Sequence, residues 1–146
     1  MRYLGCSAHS VEAALALMDR FPLDSILFPV NFVLFAQGNF GPQVLARAKE
    51  KGIARLALKA MAYTRVPAGA KRTYPKCWYV PVDDRSLARQ ALRFTLSEDV
   101  TAAIPPGDER LYEMALDLAA GYQPLSPAER KRLLARAEGV DPLFRA

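Results

Sequence analysis

The sequence predicts an α/β protein: four βα units and an extra C-terminal helix, in a single domain over residues 1–146. Three observations carry that prediction. Short apolar runs alternate four times with segments of helical periodicity, which is the pattern of a parallel sheet. Start and stop residues bracket the helical segments, with Ser10, Pro42, Asp83 or Asp84, and Ser126 opening them and Gly52, Gly121 and Gly139 closing them. The chain has 146 residues, enough for one domain with a core.

The elements follow in order. Arg2 to Cys6 is a short β-type run. Ser10 caps a helix whose apolar face is Val11, Ala14, Leu15 and Met18, with Glu12 in its first turn. Ser25 to Phe32 is nearly continuous in apolar residues, as expected of a strand covered on both faces. Gln37 to Gly41 is a loop, and a helix runs from Pro42 to Gly52. Ile53 to Leu58 is a third strand. A long loop spans Ala60 to Val82, carrying Pro67, Gly69, Pro75 and Pro81. The next helix packs with Leu87, Ala91, Leu92 and Leu96, and Val100 to Ile104 is the fourth strand. Pro105-Pro106-Gly107 turns the chain into a helix opened by Asp108-Glu109, with Leu111, Met114, Ala115 and Leu118 as core. Ser126-Pro127-Ala128-Glu129 is a capping box that starts the last helix, which runs to Gly139.

Composition narrows the function classes. Hydrophobic residues make up 51% and charged residues 24%, so the chain is globular rather than disordered. The net charge of +5 is spread out, and Arg47, Lys49 and Lys51 sit where a helix C-terminus favours cations, so nucleic acid is not the expected partner. Cys6 and Cys77 have no metal-ligand spacing, and no apolar stretch is long enough to span a bilayer. The expectation is a cytoplasmic protein with reduced thiols and no membrane contact. A parallel βα pattern of this length fits a doubly wound open sheet or half of a (βα)8 TIM barrel, since a whole barrel needs about 250 residues. No GxGxxG follows any strand.

Four strand-end motifs favour the half-barrel. Arg2-Tyr3-Leu4-Gly5-Cys6-Ser7-Ala8-His9-Ser10 resembles the fifth strand of aldo-keto reductases, where a Gly-x-Ser-Asn signature leaves the barrel. Val100 to Gly107 is similar to that family's eighth-strand Ile-Pro-Gly signature. Phe28 to Phe32 and Leu56 to Met61 fall where its sixth and seventh strands lie. The resemblance covers nearly the whole chain but only the C-terminal half of the family's barrel.

What the resemblance implies is a nicotinamide dinucleotide site, for NAD or NADP. Ser7 matches the serine that hydrogen-bonds the nicotinamide carboxamide. Pro105, Gly107, Asp108 and Glu109 match the loop and helix start that receive the phosphates, and amides at a helix N-terminus favour anions in any case. Lys59 stands where the family has an aromatic residue against the nicotinamide; it either meets substrate or phosphate or is a surface lysine whose stem lies along the rim. His9 and Asn31 are candidates to line the substrate side. Ala8 replaces the usual asparagine, Pro29 the usual glutamine, and Asp108-Glu109-Arg110 the usual 2′-phosphate arginine, an acidic stretch that implies either preference for a 2′-hydroxyl or a site whose binding has changed or been lost.

The family's catalytic Asp, Tyr, Lys and His belong to the first half of the barrel, so no catalytic residue is expected here. A small carbonyl substrate is expected only for an intact barrel. A fragment, a truncated product or a half meant to pair fits this chain, and four barrel strands with two unpaired edges predict a homo-oligomer or a complementary N-terminal half. The alternative function is a half-barrel binding or assembly module without chemistry. The aromatic loop residues Tyr63, Tyr74, Trp78 and Tyr79 form either a lid or an aromatic minicore on the barrel rim.

Overall fold

A computed structural model describes residues 1–146. Its elements are β1 (Gly5–Ser7), α1 (Val11–Arg20), β2 (Ser25–Pro29), α2 (Phe32–Gln37), α3 (Pro42–Glu50), β3 (Ala54–Leu58), β4 (Ala62–Arg65), β5 (Tyr79–Pro81), α4 (Arg85–Ser97), β6 (Ala102–Ala103), α5 (Glu109–Ala120) and α6 (Pro127–Ala135). Strands β1, β2, β3 and β6 form one parallel sheet in that order, each successive pair joined through at least one helix. That is four βα units in sequence order, with α6 as the extra helix.

Local chemistry explains where the helices start. The Ser10 hydroxyl accepts from the Ala13 amide, Asp84 accepts from Leu87, and Asp108 from Arg110. Each such cap is worth about 1 kcal/mol because it satisfies an amide that the helix leaves unpaired. The Ser126–Glu129 capping box is complete, with both reciprocal bonds formed.

Two expectations about the elements are corrected. The run expected to be one strand to Phe32 ends at Pro29, and Phe32–Gln37 is helical. Asn31 starts that helix by accepting from the Leu34 amide at 2.9 Å. A continuous apolar run is ambiguous between strand and buried helix, and here Asn31 and Gly38 are the punctuation that decides. The loop from Ala60 to Val82 contains an antiparallel hairpin, β4 with β5, bulged between Ala62 and Thr64. The outer strands are also shorter than expected, three residues in β1 and two in β6, and α6 ends at Ala135 before turns that reach Gly139.

The core lies between the sheet and its helices. Ile26 and Phe28 of β2 and Ala57 of β3 are each 1% exposed and face the helical layer. Phe28 stacks on Phe40 at 4.8 Å, and Phe94 of α4 meets Phe35 of α2 edge-on at 5.2 Å. The opposite face carries a row in register, Ser7, Leu27, Leu56 and Ala102, that no helix covers. In a closed barrel that face would be the interior.

Candidate functional site at the strand ends

Parallel strands bring their C-terminal ends to one rim. Ser7 and His9 leave β1 there, Asn31 follows β2, Lys59 follows β3, and Pro105 to Glu109 follow β6. Residues scattered through the sequence thus meet on the side where barrels place their chemistry. Ser7 is exposed on the uncovered face, in register with Leu27.

Asn31 is 1% exposed, and backbone groups occupy its amide. Its oxygen caps α2, while its nitrogen donates to the Lys59 carbonyl at 3.1 Å. The same carbonyl accepts from the Ala62 amide at 2.9 Å, closing the turn from β3 into β4. Asn31 therefore acts on the rim by holding Lys59 rather than by facing outward.

Lys59 itself has φ 66°, left-handed backbone that a lysine rarely adopts. Its ammonium lies 4.7 Å from the centre of the Tyr79 ring and 5.3 Å from that of Trp78. The two rings meet edge-on at 5.5 Å, so the hairpin forms an aromatic corner around the amine. Burial pushes the Lys59 ammonium below its ordinary range, with the neighbouring Cys77 acting weakly against that. The His9 imidazole is also pushed down, first by burial and then by the Lys59 charge.

The C-terminal tail closes over the rim. Phe144 lies 5.3 Å from His9, 5.3 Å from Phe40 and 6.0 Å from Trp78. The tail is pinned by Ala146 donating to the Gly38 carbonyl, Arg145 to Gln37, Arg65 to Leu143 and Thr64 to Asp141. Trp78 and Tyr79 thus serve both as a packed aromatic cluster and as a cover over Lys59. The role of Phe144 was not legible from its local sequence, because its ring partners come from three distant segments.

Cys77 is 1% exposed, beside the Tyr79 hydroxyl and the Asp108 amide, and burial raises its thiol above the ordinary range. Burial and the same cysteine raise Tyr79. Neither group is an ionised nucleophile near neutral pH.

The start of α5 is the position at which the sequence resemblance expects a dinucleotide phosphate. Asp108 caps the helix and also holds Arg110, with contacts of 3.1 and 3.3 Å. The Arg110 guanidinium beside it keeps the Asp108 carboxyl below the usual carboxylate range. Arg110 stacks over Tyr74 at 4.5 Å, and Lys76 pairs with Glu109 at 3.1 Å. Two cations and two carboxylates cancel, and an open hollow of about 270 Å³ lies among Lys76, Asp108, Glu109 and Arg110. A side chain added at Gly107 would meet no atom within 4 Å, so the approach to the helix start is clear. The Arg110 amide already donates to Asp108, and the charged side chains at this helix start are paired with one another.

A parallel four-stranded β/α layer with its loops gathered over one rim defines the class as half of a (βα)8 barrel. Among solved structures, the chain superposes on aldo-keto reductase AKR11C1 from Bacillus halodurans. Both the holo and the apo form match with a TM-score of 0.53 and 15% identity, over 99% of this chain and 54% of that one. The chain thus has the fold of part of an aldo-keto reductase barrel and spans about half the length of that relative. No family model and no curated protein matches it.

Proposed function

We propose that the chain is the C-terminal, dinucleotide-binding half of an oxidoreductase of the aldo-keto reductase type, without the proton-donating residues of such an enzyme. The observation that supports this best is the rim itself: Ser7, Lys59 and the Pro105–Glu109 turn lie at the C-terminal ends of β1, β3 and β6, three of the four strands of a half-barrel with that fold. The nicotinamide cofactor, when bound, supplies hydride. The chain's own part is to hold it. Ser7 offers a hydroxyl to the carboxamide, the turn after Pro105 and Gly107 presents the amides of α5 to a phosphate, and Lys59 is a rim cation with no carboxylate partner. Asp108 and Glu109 oppose a 2′-phosphate, so NAD is preferred over NADP.

Calorimetry with NAD and NADP tests this. NAD should bind with a Kd of about 0.1–1 mM, because half of the nicotinamide pocket lies outside this chain. A β-branched residue at Gly107 should weaken binding more than Lys59→Met, because it stands in front of the amides. No binding of either dinucleotide at millimolar concentration overturns the proposal. The chain alone should not turn over small aldehydes with either reduced dinucleotide, since an alkoxide needs a proton donor. Turnover that is lost in Tyr63→Phe, Tyr74→Phe or Tyr79→Phe would show a loop tyrosine in that role.

A second reading is a cytoplasmic binding module without chemistry. The closed Asp108–Arg110 and Lys76–Glu109 pairs favour it, since they leave the α5 start neutral. No helix of the chain is long and apolar enough to cross a membrane.

A further inference from the structure

The amine of Lys59 stands apart from the other lysines. Lys49 is paired with Asp99, Lys51 with Asp19 and Lys76 with Glu109, while Lys71 and Lys131 are exposed to water. Lys59 is half-buried and pairs with no carboxylate. Its only close neighbours of defined geometry are two ring faces. A carboxylate would hold a proton on the nitrogen. Rings favour a cation far less strongly than a carboxylate does, and burial works against the charge. The backbone is held in an unfavourable conformation, φ 66°, by two hydrogen bonds to the Lys59 carbonyl, from Asn31 and Ala62. Such conformations persist where surrounding structure over-determines them, and they gather at functional sites. The strand-end position places Lys59 at the rim.

We propose that Lys59 is an imine-forming residue that captures small aldehydes or ketones at the rim of the half-barrel. The step is a condensation and needs no oxidant or reductant. The ammonium first gives one proton to water. The nitrogen pair then forms a C–N bond to the carbonyl carbon, and the carbonyl π pair moves to oxygen, which is protonated. The resulting carbinolamine loses water as the C–O bond breaks, leaving a protonated C=N on Lys59. The net change is ammonium plus carbonyl to iminium plus one water, with charge conserved. Water carries the protons, and the Trp78 and Tyr79 rings cover the amine on one side. This inference does not rest on dinucleotide binding, and its test involves no dinucleotide.

The experiment is reductive trapping on the full chain. Glyceraldehyde is added near neutral pH with and without sodium cyanoborohydride, and the adducts are located by peptide mass mapping. Lys59 should be labelled about tenfold faster than Lys71 or Lys131, because burial favours its neutral, nucleophilic form. The selectivity should vanish in concentrated urea. Lys59→Arg should retain the cation over the rings, keep its circular dichroism spectrum and lose the fast adduct. Labelling of Lys59 no faster than of the exposed lysines, or selectivity that survives unfolding, overturns the proposal. The wild-type comparison decides even if the variant fails to fold.

Discussion

Gly41 shows how a single position is constrained by its neighbours. It precedes α3 with φ 125°, a conformation open to glycine alone among ordinary residues. A Cβ there would come within 2.5 Å of Cε2 of Phe35, whose ring is held edge-on by Phe94. Gly41→Ala should therefore lower stability by about 1–3 kcal/mol in urea unfolding, backbone strain and side-chain clash acting together. Gly52 also has positive φ, 69°, but a Cβ there meets nothing within 4 Å. Gly52→Ala should cost about 1 kcal/mol, the backbone term alone. Equal losses at the two positions would show that Phe35 yields freely.

The junction from α5 into α6 depends on charge. Glu129 is held down from 4.5 to about 2, first by the Arg93 guanidinium and then by the Ser126 amide and hydroxyl. Arg93 also donates to the Gln123 and Pro124 carbonyls, so one side chain binds the whole connection to α4. A carboxyl whose folded value is depressed contributes stability that is complete above its unfolded value. That contribution falls as pH drops from about 4.5 and is gone below about 2. Glu129→Gln should have a lower urea midpoint than wild type at pH 7. The two midpoints should converge as pH falls through that window, which chemical unfolding at several pH values will show. A constant difference across the window would mean that the loss comes from packing rather than from the carboxylate.

Four parallel strands are half of an eight-stranded closed barrel, and this sheet leaves β1 and β6 as free edges. The uncovered face carries Leu27, Leu56 and Leu58, partly exposed. A second copy related by a two-fold axis would set β1 of each against β6 of the other, all strands parallel, and cover both faces at once. We propose that arrangement, and light scattering should give twice the 16.1 kDa of the chain. Leu56→Asp should shift the protein to monomer, because it places a charge in the joined interior. A wild-type chain that stays monomeric at high concentration overturns the second copy as occupant and leaves a separate chain with the remaining strands.

Much of this architecture is encoded locally. The caps at Ser10, Asp84, Asp108 and Ser126, the turn at Gly52 and the repeated strand–helix alternation are short-range signals, and all of them recur in the structure. The half-barrel was also legible, because four strand-end motifs stand in order along the chain. Helix α2 was not, since Phe32 to Ala36 is an unbroken apolar run and periodicity cannot separate a buried helix from a buried strand. The β4–β5 hairpin was hidden by a segment rich in proline, with a register shift in place of regular alternation. The surroundings of the site residues lay furthest from view. Lys59 is named by its place at a strand end, but its aromatic corner comes from Trp78 and Tyr79, and His9 meets Phe144 only because the tail crosses the rim. Such contacts depend on how distant segments close over the sheet. Local propensity carries no information about that closure, and only the packed chain decides which side chains face an amine and which face water.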